Sequence, residues 1–189
     1  MAKDTEYMND NRIIFLSGEI TEEKSKEIIT KIMNLEAKDP TKDIMLLIDS
    51  YGGMVHSMLA VHDVMKHLTR CDIITVGIGK QMSAGQLLLI SGTKGKRFAT
   101  PNSRILMHQL FAGTFGKLAD MEVDVEEYKM LEDLLDKLIV KYTKVKKSQL
   151  KELLQVDSYV SAQKALELGL IDHIIKQPTD LYKQPGINL

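Results

Sequence analysis

The sequence predicts one α/β domain, built from right-handed βαβ units around a mostly parallel sheet. Three apolar runs, residues 12–18, 43–49 and 72–78, have the aliphatic and β-branched composition of buried strands. Segments with helical periodicity separate these runs, so strand and helix alternate at short spacing. A chain of 189 residues is long enough for one sizeable core, so we expect a single domain.

The composition is that of an ordinary globular protein, with 44% apolar and 27% charged residues. A formal net charge of −1 argues against nucleic acid or an acidic membrane as the main partner. The first residues are polar, and no apolar run approaches the roughly 20 residues of a membrane-spanning helix. The one cysteine, Cys71, excludes an internal disulfide and fits a reducing compartment. We therefore expect a cytoplasmic protein in which Cys71 is a small buried residue.

The first strand and helix are marked by their ends. Residues 1–11 are polar, so we expect a short flexible segment, and the strand over 12–18 ends at a glycine. Thr21, followed by two glutamates, has the composition of a helix start, because acidic residues suit the positive end of the helix dipole. The helix runs to about residue 37, and Asp39-Pro40 breaks it.

The next strands are more completely apolar. The strand over 43–49 is apolar on both faces and leads into a glycine-containing turn at 50–53. A methionine- and leucine-rich stripe predicts a helix over 54–68. The central strand, 72–78, is followed by a tight turn, and the run 87–90 lies in a buried helix.

The second half of the chain is dominated by one long helix. It runs from about 117 to 144, and its apolar stripe needs a partner, either the domain or another subunit. A strand over 103–108 and a glycine-bearing loop over 111–116 precede it. The remaining elements are a helix over 148–154, a turn at Asp157, a helix from Ser161 to Gly169, a strand over 171–175 and a tail, 177–189, expected to be loosely ordered.

Ser83 is the candidate nucleophile. It lies in the sequence Gly-Lys-Gln-Met-Ser-Ala-Gly, residues 79–85, between the central strand and a helix. A serine at such a turn has its hydroxyl held outward, and the N–H groups at the helix start can stabilise an oxyanion. Taken alone, the pattern is explained better by a serine that caps a helix after a glycine turn, so catalytic partners are required.

Two partners for Ser83 fall at ends of predicted elements, where catalytic groups of α/β folds gather. His108 ends the strand over 103–108, and Asp157 lies in a later turn. A serine needs a base, histidine is the side chain that titrates near neutral pH, and a carboxylate fixes the histidine tautomer. The N–H of Ala84 and an N–H of Gly52-Gly53 are the candidate oxyanion donors.

Other side chains are alternative candidates for the nucleophile and the base. Lys80 lies close to Ser83 and permits a serine–lysine dyad. His173 is a rival base, although it lies far along the chain from any nucleophile turn. Ser50 follows a strand and is a rival nucleophile, but no helix start follows it directly.

The histidines of the helix over 54–68 are expected to be structural. His56, His62 and His67 are spaced by six and five residues, and such spacings do not share a face of an α-helix. We therefore expect surface or partly buried side chains here rather than metal ligands, and no metal site in this chain.

Together these segments resemble the ClpP family, the proteolytic subunits of the Clp protease, over residues 12–175. Each motif alone is common, but the set is specific. The motifs are Ser50-Tyr51-Gly52-Gly53, Gly79 to Gly85, Lys94 to Phe98 with Pro101 to Arg104, Met107-His108-Gln109, and Asp157 to Ala162 with Gly169 to Asp172.

The resemblance implies a ClpP/crotonase-like fold over residues 12–176, with a protruding handle formed by residues 111–144. It implies a serine endopeptidase that degrades unfolded polypeptides inside a chamber of two stacked heptamers, a tetradecamer. It assigns Ser83 as nucleophile, His108 as general base and acid, and Asp157 as the orienting carboxylate. The other site residues it implies are Gly53 and Ala84 for the oxyanion hole and Gly52, Met54, Phe111 and Ala112 for an extended substrate.

The resemblance also implies an AAA+ unfoldase partner that consumes ATP, and no cofactor in this chain. Departures from the family pattern concern mainly partners. Met45 and Leu47 stand where the family often has tyrosines that help dock the unfoldase, and the segment before Arg12 is short. The other departures are Tyr51, Leu110 and Gln155-Val156. Two alternatives stay open: a non-catalytic or partner-dependent ring subunit that pairs with an active paralogue, and a crotonase-type acyl-CoA enzyme.

Overall fold

The computed structural model describes residues 12–182 and 186–189, and its alternation of strands and helices confirms the predicted α/β class. The strands are β1 (Ile13–Ile20), β2 (Ile44–Gly53), β3 (Ile73–Met82), β4 (Arg97–Ala99), β5 (Arg104–Met107), β6 (Ser158–Ser161) and β7 (His173–Ile174). The helices are α1 (Glu22–Lys38), α2 (Val55–Asp63), α3 (Ala84–Ile90), α4 (Leu118–Tyr142), α5 (Lys147–Leu154), α6 (Ala162–Leu168) and α7 (Thr179–Tyr182). The predicted flexible segment, residues 1–11, lies outside the described residues.

The sheet is parallel except at one edge. Its main path runs β1-β2-β3-β4-β7, and every pair along it is parallel. Two strands share the outer edge of β3, because residues 75–77 pair with β4 and residues 80–82 pair with β5. β6 then adds to β5 in the antiparallel sense. The carboxyl ends of β2, β3 and β5 therefore meet at one end of the sheet.

Apolar cores cover both faces of the sheet. The larger core joins β1–β3 to the helices and includes Ile28, Leu46 and Leu88, each fully buried. The smaller core contains Met45 and Phe98, among others, and its last member is Leu181, in α7. Because β2 and β3 are apolar on both faces, each face needs a cover, and the carboxyl-terminal segment helps to supply the second.

Several sequence predictions differ from the structure. The tail is not loosely ordered throughout its described part, because α7 joins the smaller core and Asn188 exchanges hydrogen bonds with Asp43. Residues 50–53 are the end of β2 rather than a turn. The short strands β4 and β6 were not predicted, since three or four residues carry too little periodicity to reveal a strand.

The helix over 54–68 also differs, because its last turn, Val64–Leu68, is π-helical. A π-turn bonds residues five apart, and Thr69 N–H accordingly donates to Val64 O at 3.1 Å. The rings of His62 and His67 consequently lie 6.3 Å apart, although a spacing of five would separate them on an α-helix. His62 is fully buried and bonds to Tyr142 Oη at 3.1 Å, so it has a structural role, and burial lowers its pKa.

A buried ion pair ties the far edge of the sheet to the end of α4. The Arg97 guanidinium donates to both carboxylate oxygens of Asp172, at 2.9 and 2.6 Å, and to Tyr142 O at 2.6 Å. Burial of the carboxyl acts to raise the pKa of Asp172. The hydrogen bonds and charge of Arg97 outweigh this effect and lower the pKa overall.

Within the described residues, no helix is long and apolar enough to cross a bilayer.

We expect Asp172→Asn to lower the free energy of unfolding by about 3 kcal/mol, because it leaves the buried Arg97 charge uncompensated. Urea unfolding measures the loss. The surface pair Lys164–Glu167 supplies the control, since Glu167→Gln should cost no more than about 1 kcal/mol. The folded pKa of Asp172 is lowered, so its contribution is present above the unfolded pKa and is lost as pH falls through the folded value. Equal losses in both variants would contradict the prediction.

Candidate active site

Ser83 occupies a strained junction between β3 and α3. Its φ of 52° and ψ of −124° lie in a region that residues other than glycine rarely adopt. Ser83 N–H donates to Leu106 O at 3.1 Å, while Ser83 O accepts from the N–H of Gln86. Ser83 is the N-cap residue of α3, as the simpler interpretation predicted, but its hydroxyl makes no capping bond. The backbone is held at both ends, and the hydroxyl makes no hydrogen bond within the described residues.

Gly52 makes this junction possible. A Cβ atom at Gly52 would lie 2.7 Å from Ser83 Cβ and 2.8 Å from Met82 O, and the φ of Gly52 is +101°. Only glycine permits so close an approach in that conformation. Ser50 is fully buried, accepts a hydrogen bond from Gly52 N–H at 3.0 Å and donates to Gly18 O at 2.5 Å. The rival serine is therefore a structural support for the turn.

An open cleft of about 340 Å³ lies beside Ser83. Five of the predicted site residues line it, and these are Ser83, Ala84, Gly53, His108 and Phe111. Helix α4 forms the facing wall with Leu135 and Ile139, and Leu87 and Leu154 extend the apolar lining. The cleft thus combines a nucleophile candidate and a base candidate with a largely apolar surface, as binding sites commonly do.

The strand register brings His108 and Asp157 next to each other. In the antiparallel pair β5–β6, Met107 is opposite Ser158, so the residues immediately beyond that pair are His108 and Asp157. Opposite residues of an antiparallel pair have Cβ atoms about 4.5–5.5 Å apart. Among the described residues, no hydrogen bond joins Ser83, His108 and Asp157, and Asp157 is exposed outside the cleft lining. Ser83 and His108 thus share the cleft, and strand pairing places Asp157 near His108, but no hydrogen bond among the described residues connects the three side chains.

Two backbone amides border the space in front of Ser83. Ala84 N would lie 3.1 Å from a Cβ atom at Gly52, so this amide lies against the end of β2. Met54 N–H donates to Ile20 O of β1, at 2.9 Å. The amide that follows Gly53 is therefore held by β1, and Gly53 itself lines the cleft together with Ala84. Both predicted oxyanion donors therefore border the cleft.

Of the four residues predicted to contact the substrate, one lines the cleft and three do not. Phe111 lines the cleft and is 92% exposed, while Gly52 lies behind Ser83 rather than in the lining. Met54 and Ala112 are exposed and do not line the cleft. An extended substrate would have to pass beyond the cleft to reach these last two residues.

The rival bases lie elsewhere. Lys80 Nζ is 2.9 Å from Asp49 Oδ1 and 4.3 Å from the centroid of the Tyr51 ring. The hydrogen bond that Lys80 donates to Asp49 raises the pKa of Lys80, whereas a catalytic lysine needs a lowered pKa. His173 stacks on Phe98 at 5.1 Å and does not line the cleft. In the described part of the chain, no cluster of three metal-ligating side chains occurs.

Sequence reasoning missed three polar residues of the cleft: Gln86 from α3, and Glu132 and Asp136 from α4. Burial raises the pKa of Asp136, and the charges of Glu132 and Asp133 raise it further. The spacing of Glu132 and Asp136 places them on one helix face. The sequence could not indicate that this face meets Ser83, because about fifty residues separate them and the contact is tertiary.

Comparisons with known proteins identify the relatives of this chain. A model of the Clp protease family matches residues 1–178. ATP-dependent Clp protease proteolytic subunit 1 of Corynebacterium jeikeium is 42% identical over 164 residues, which cover 87% of this chain and 87% of that protein. Proteolytic subunit 2 of Mycolicibacterium paratuberculosis is 39% identical over 170 residues, which cover 90% of this chain and 85% of that protein.

We expect Gly52→Ala to destabilise the fold and to slow the reaction of Ser83 with a serine-directed fluorophosphonate, because the new methyl group collides with Ser83. Gly95→Ala is a matched control, since Gly95 also has a positive φ, of +87°, but has no atom within 4 Å of its Cβ position. The control should lose about 1–2 kcal/mol through backbone strain alone. Thermal melts and labelling rates of both variants measure the difference, and equal effects would contradict the collision.

Proposed function

Because the chain belongs to the Clp protease family, as its motifs predicted, we propose that it is a serine endopeptidase that cleaves unfolded polypeptides with Ser83, His108 and Asp157. One observation carries this proposal. Ser83 is held in a positive-φ junction, its hydroxyl makes no hydrogen bond within the described residues, and it shares a cleft with His108. His108 and Asp157 lie directly beyond the last pair of β5 and β6, which is Met107 with Ser158. This arrangement fits acyl transfer through a covalent intermediate.

The proposed reaction begins with attack of Ser83 Oγ on the scissile carbonyl, while His108 accepts the hydroxyl proton. The carbonyl oxygen becomes an oxyanion, which the N–H groups of Gly53 and Ala84 stabilise. His108 then donates the proton to the departing amine, and the C–N bond breaks to leave an acyl-enzyme. Water, deprotonated by His108, releases the acid and restores Ser83. Asp157 orients the imidazole and stabilises its protonated form.

We propose that the protein acts as an oligomeric chamber, with two stacked heptamers as the finer prediction. Support comes from the amino-terminal half of α4 and the loop before it, which carry large apolar side chains that the described residues leave exposed. Phe111 and Phe115 are almost fully exposed, and Leu118, Val123 and Met130 are each about 70% exposed. A patch of this kind is typical of a protein interface, and a second copy of the chain is the expected cover.

The unfoldase partner has less support. Met45 is only 3% exposed and belongs to the smaller core together with Leu181 and Leu189, so it offers little surface for docking. We keep an AAA+ unfoldase, which would consume the ATP, and a cytoplasmic location as predictions. The proposed chemistry itself needs no metal or cofactor, since His108 and the backbone amides supply proton transfer and charge stabilisation.

A partner-dependent ring subunit is the second candidate. It is favoured by the absence of hydrogen bonds among Ser83, His108 and Asp157 in the described single chain, because assembly with a paralogous ring could align them. A crotonase-type acyl-CoA enzyme is the third candidate. It would not need a free serine hydroxyl and a histidine in one cleft, so the peptidase accounts better for what lines the site.

We expect the purified protein to hydrolyse a short fluorogenic peptide and to incorporate one fluorophosphonate at Ser83, with both activities abolished in Ser83→Ala. Lys80→Ala should retain hydrolysis, because Lys80 is paired with Asp49. Native mass measured on the same sample reports assembly. Loss of hydrolysis in Lys80→Ala would indicate the dyad instead. An assembled particle without turnover would favour the partner-dependent subunit, and mixing with a paralogue or adding acyl-CoA would separate the remaining candidates.

We expect Asp157→Asn to lower kcat by at least about a hundredfold, because the histidine loses the carboxylate that fixes its tautomer. The measurement is steady-state hydrolysis of the same peptide at saturating concentration. Asp120→Asn, an exposed aspartate at the start of α4, is the control for loss of one negative charge. A kcat for Asp157→Asn equal to that of the control would exclude Asp157 as the orienting group.

A further inference from the structure

Two carboxylates in the cleft have no part in the proposed chemistry. Glu132 and Asp136 are one helical turn apart on α4, and both line the cleft that contains Ser83. Neither forms an ion pair or hydrogen bond with another described residue, whereas the neighbouring Asp133 pairs with Lys137 at 2.5 Å. Like charges at this spacing destabilise a helix. The wall of the cleft therefore concentrates negative charge that no ion pair with a described residue neutralises.

The surroundings of Asp136 disfavour its negatively charged form, and a positively charged ligand would stabilise that form. The side chain is half-buried, and burial acts first to raise its pKa, followed by the charges of Glu132 and Asp133. Lys147 and Lys151 act in the opposite direction but do not cancel these effects. A cation placed in the cleft would relieve the repulsion between the two carboxylates and stabilise the charged form of Asp136.

Gln86 provides a second and independent sign of a missing ligand. Its side chain is 2% exposed and lines the same cleft, one helical turn after Ser83. Its Nε2 atom is buried and has no hydrogen-bond partner within the described residues. Buried amide groups normally have partners, so this group is arranged for a polar atom that the chain does not supply. The two ends of the amide are interchangeable by rotation, so it can accept or donate a hydrogen bond.

We propose that the cleft binds a lysine or arginine side chain of the substrate, at the position next to the scissile bond. This inference rests on the proposed peptidase function. Leu87, Leu135 and Ile139 would contact the methylene stem, while the cationic head would reach Asp136 and Glu132 and donate a hydrogen bond to Gln86. The substrate class is therefore unfolded chains cleaved after basic residues, rather than after apolar residues alone.

The test uses two fluorogenic peptides that differ only in the residue before the fluorophore, lysine in one and norleucine in the other. Norleucine keeps the stem and removes the charge. We expect kcat/KM to be at least about tenfold higher for the lysine peptide. Both side chains place the same stem in the cleft, and only lysine adds charged hydrogen bonds in a partly buried site. Asp136→Asn and Glu132→Gln should reduce this ratio toward one. Asp120→Asn removes the same charge from the exposed start of the same helix, away from the cleft, and should leave the ratio unchanged.

A binding measurement separates this inference from the proposed function. Calorimetry with Ser83→Ala and uncleaved versions of the two peptides reports the cation preference without catalysis. Preference for lysine that Asp136→Asn removes would support the inference even if no Ser83-dependent turnover occurs, in which case only the peptidase proposal fails. The inference would be overturned if Ser83-dependent turnover or binding favours the norleucine peptide. It would also be overturned if the preference for lysine survives in both Asp136→Asn and Glu132→Gln. Asp136→Asn should also melt no lower than the wild type, because it relieves like-charge repulsion.

Discussion

The cleft depends on the way that two short strands share the outer edge of β3. β4 pairs with residues 75–77, and β5 replaces it along residues 80–82. Because β5 follows β3 to its end, Leu106 accepts the N–H of Ser83 and His108 emerges beside the same junction. β6 then pairs with β5, and His108 and Asp157 lie directly beyond the last pair, Met107 with Ser158. One change of strand partner thus collects residues that are distant in the sequence.

The site is strained and incompletely satisfied, while its surroundings are well bonded. Ser83 has an unfavourable φ, Gln86 has an unpaired amide, and Glu132 and Asp136 repel each other. Away from the cleft, buried charges such as Arg97 have full partners. Folded proteins tolerate local conflicts where function needs them, provided that the rest of the structure supplies the stability. These three conflicts all lie around one nucleophile candidate.

Helix α4 links assembly to the site. Its first half exposes large apolar side chains such as Leu118 and Met130, while its second half presents Leu135 and Asp136 to the cleft. A partner chain that covers the first half would therefore constrain the wall of the cleft. This coupling gives a physical reason for the absence of hydrogen bonds among Ser83, His108 and Asp157 in the described single chain, because the loop between His108 and α4 ends on the part of the helix that the described residues leave exposed.

The sequence alone determined the elements with strong local signals, including the apolar strands β1–β3 and the serine between β3 and α3, because periodicity and glycine positions act over a few neighbouring residues. Its motifs also brought His108 and Asp157 into the prediction. Only tertiary structure decided how the short strands β4 and β6 pair, how Leu181 covers the sheet, and which face of α4 meets the cleft. These features depend on contacts between distant segments, whose energy no local pattern encodes. The negative charge of the cleft, carried by Glu132 and Asp136, therefore follows from the tertiary structure and not from the sequence pattern.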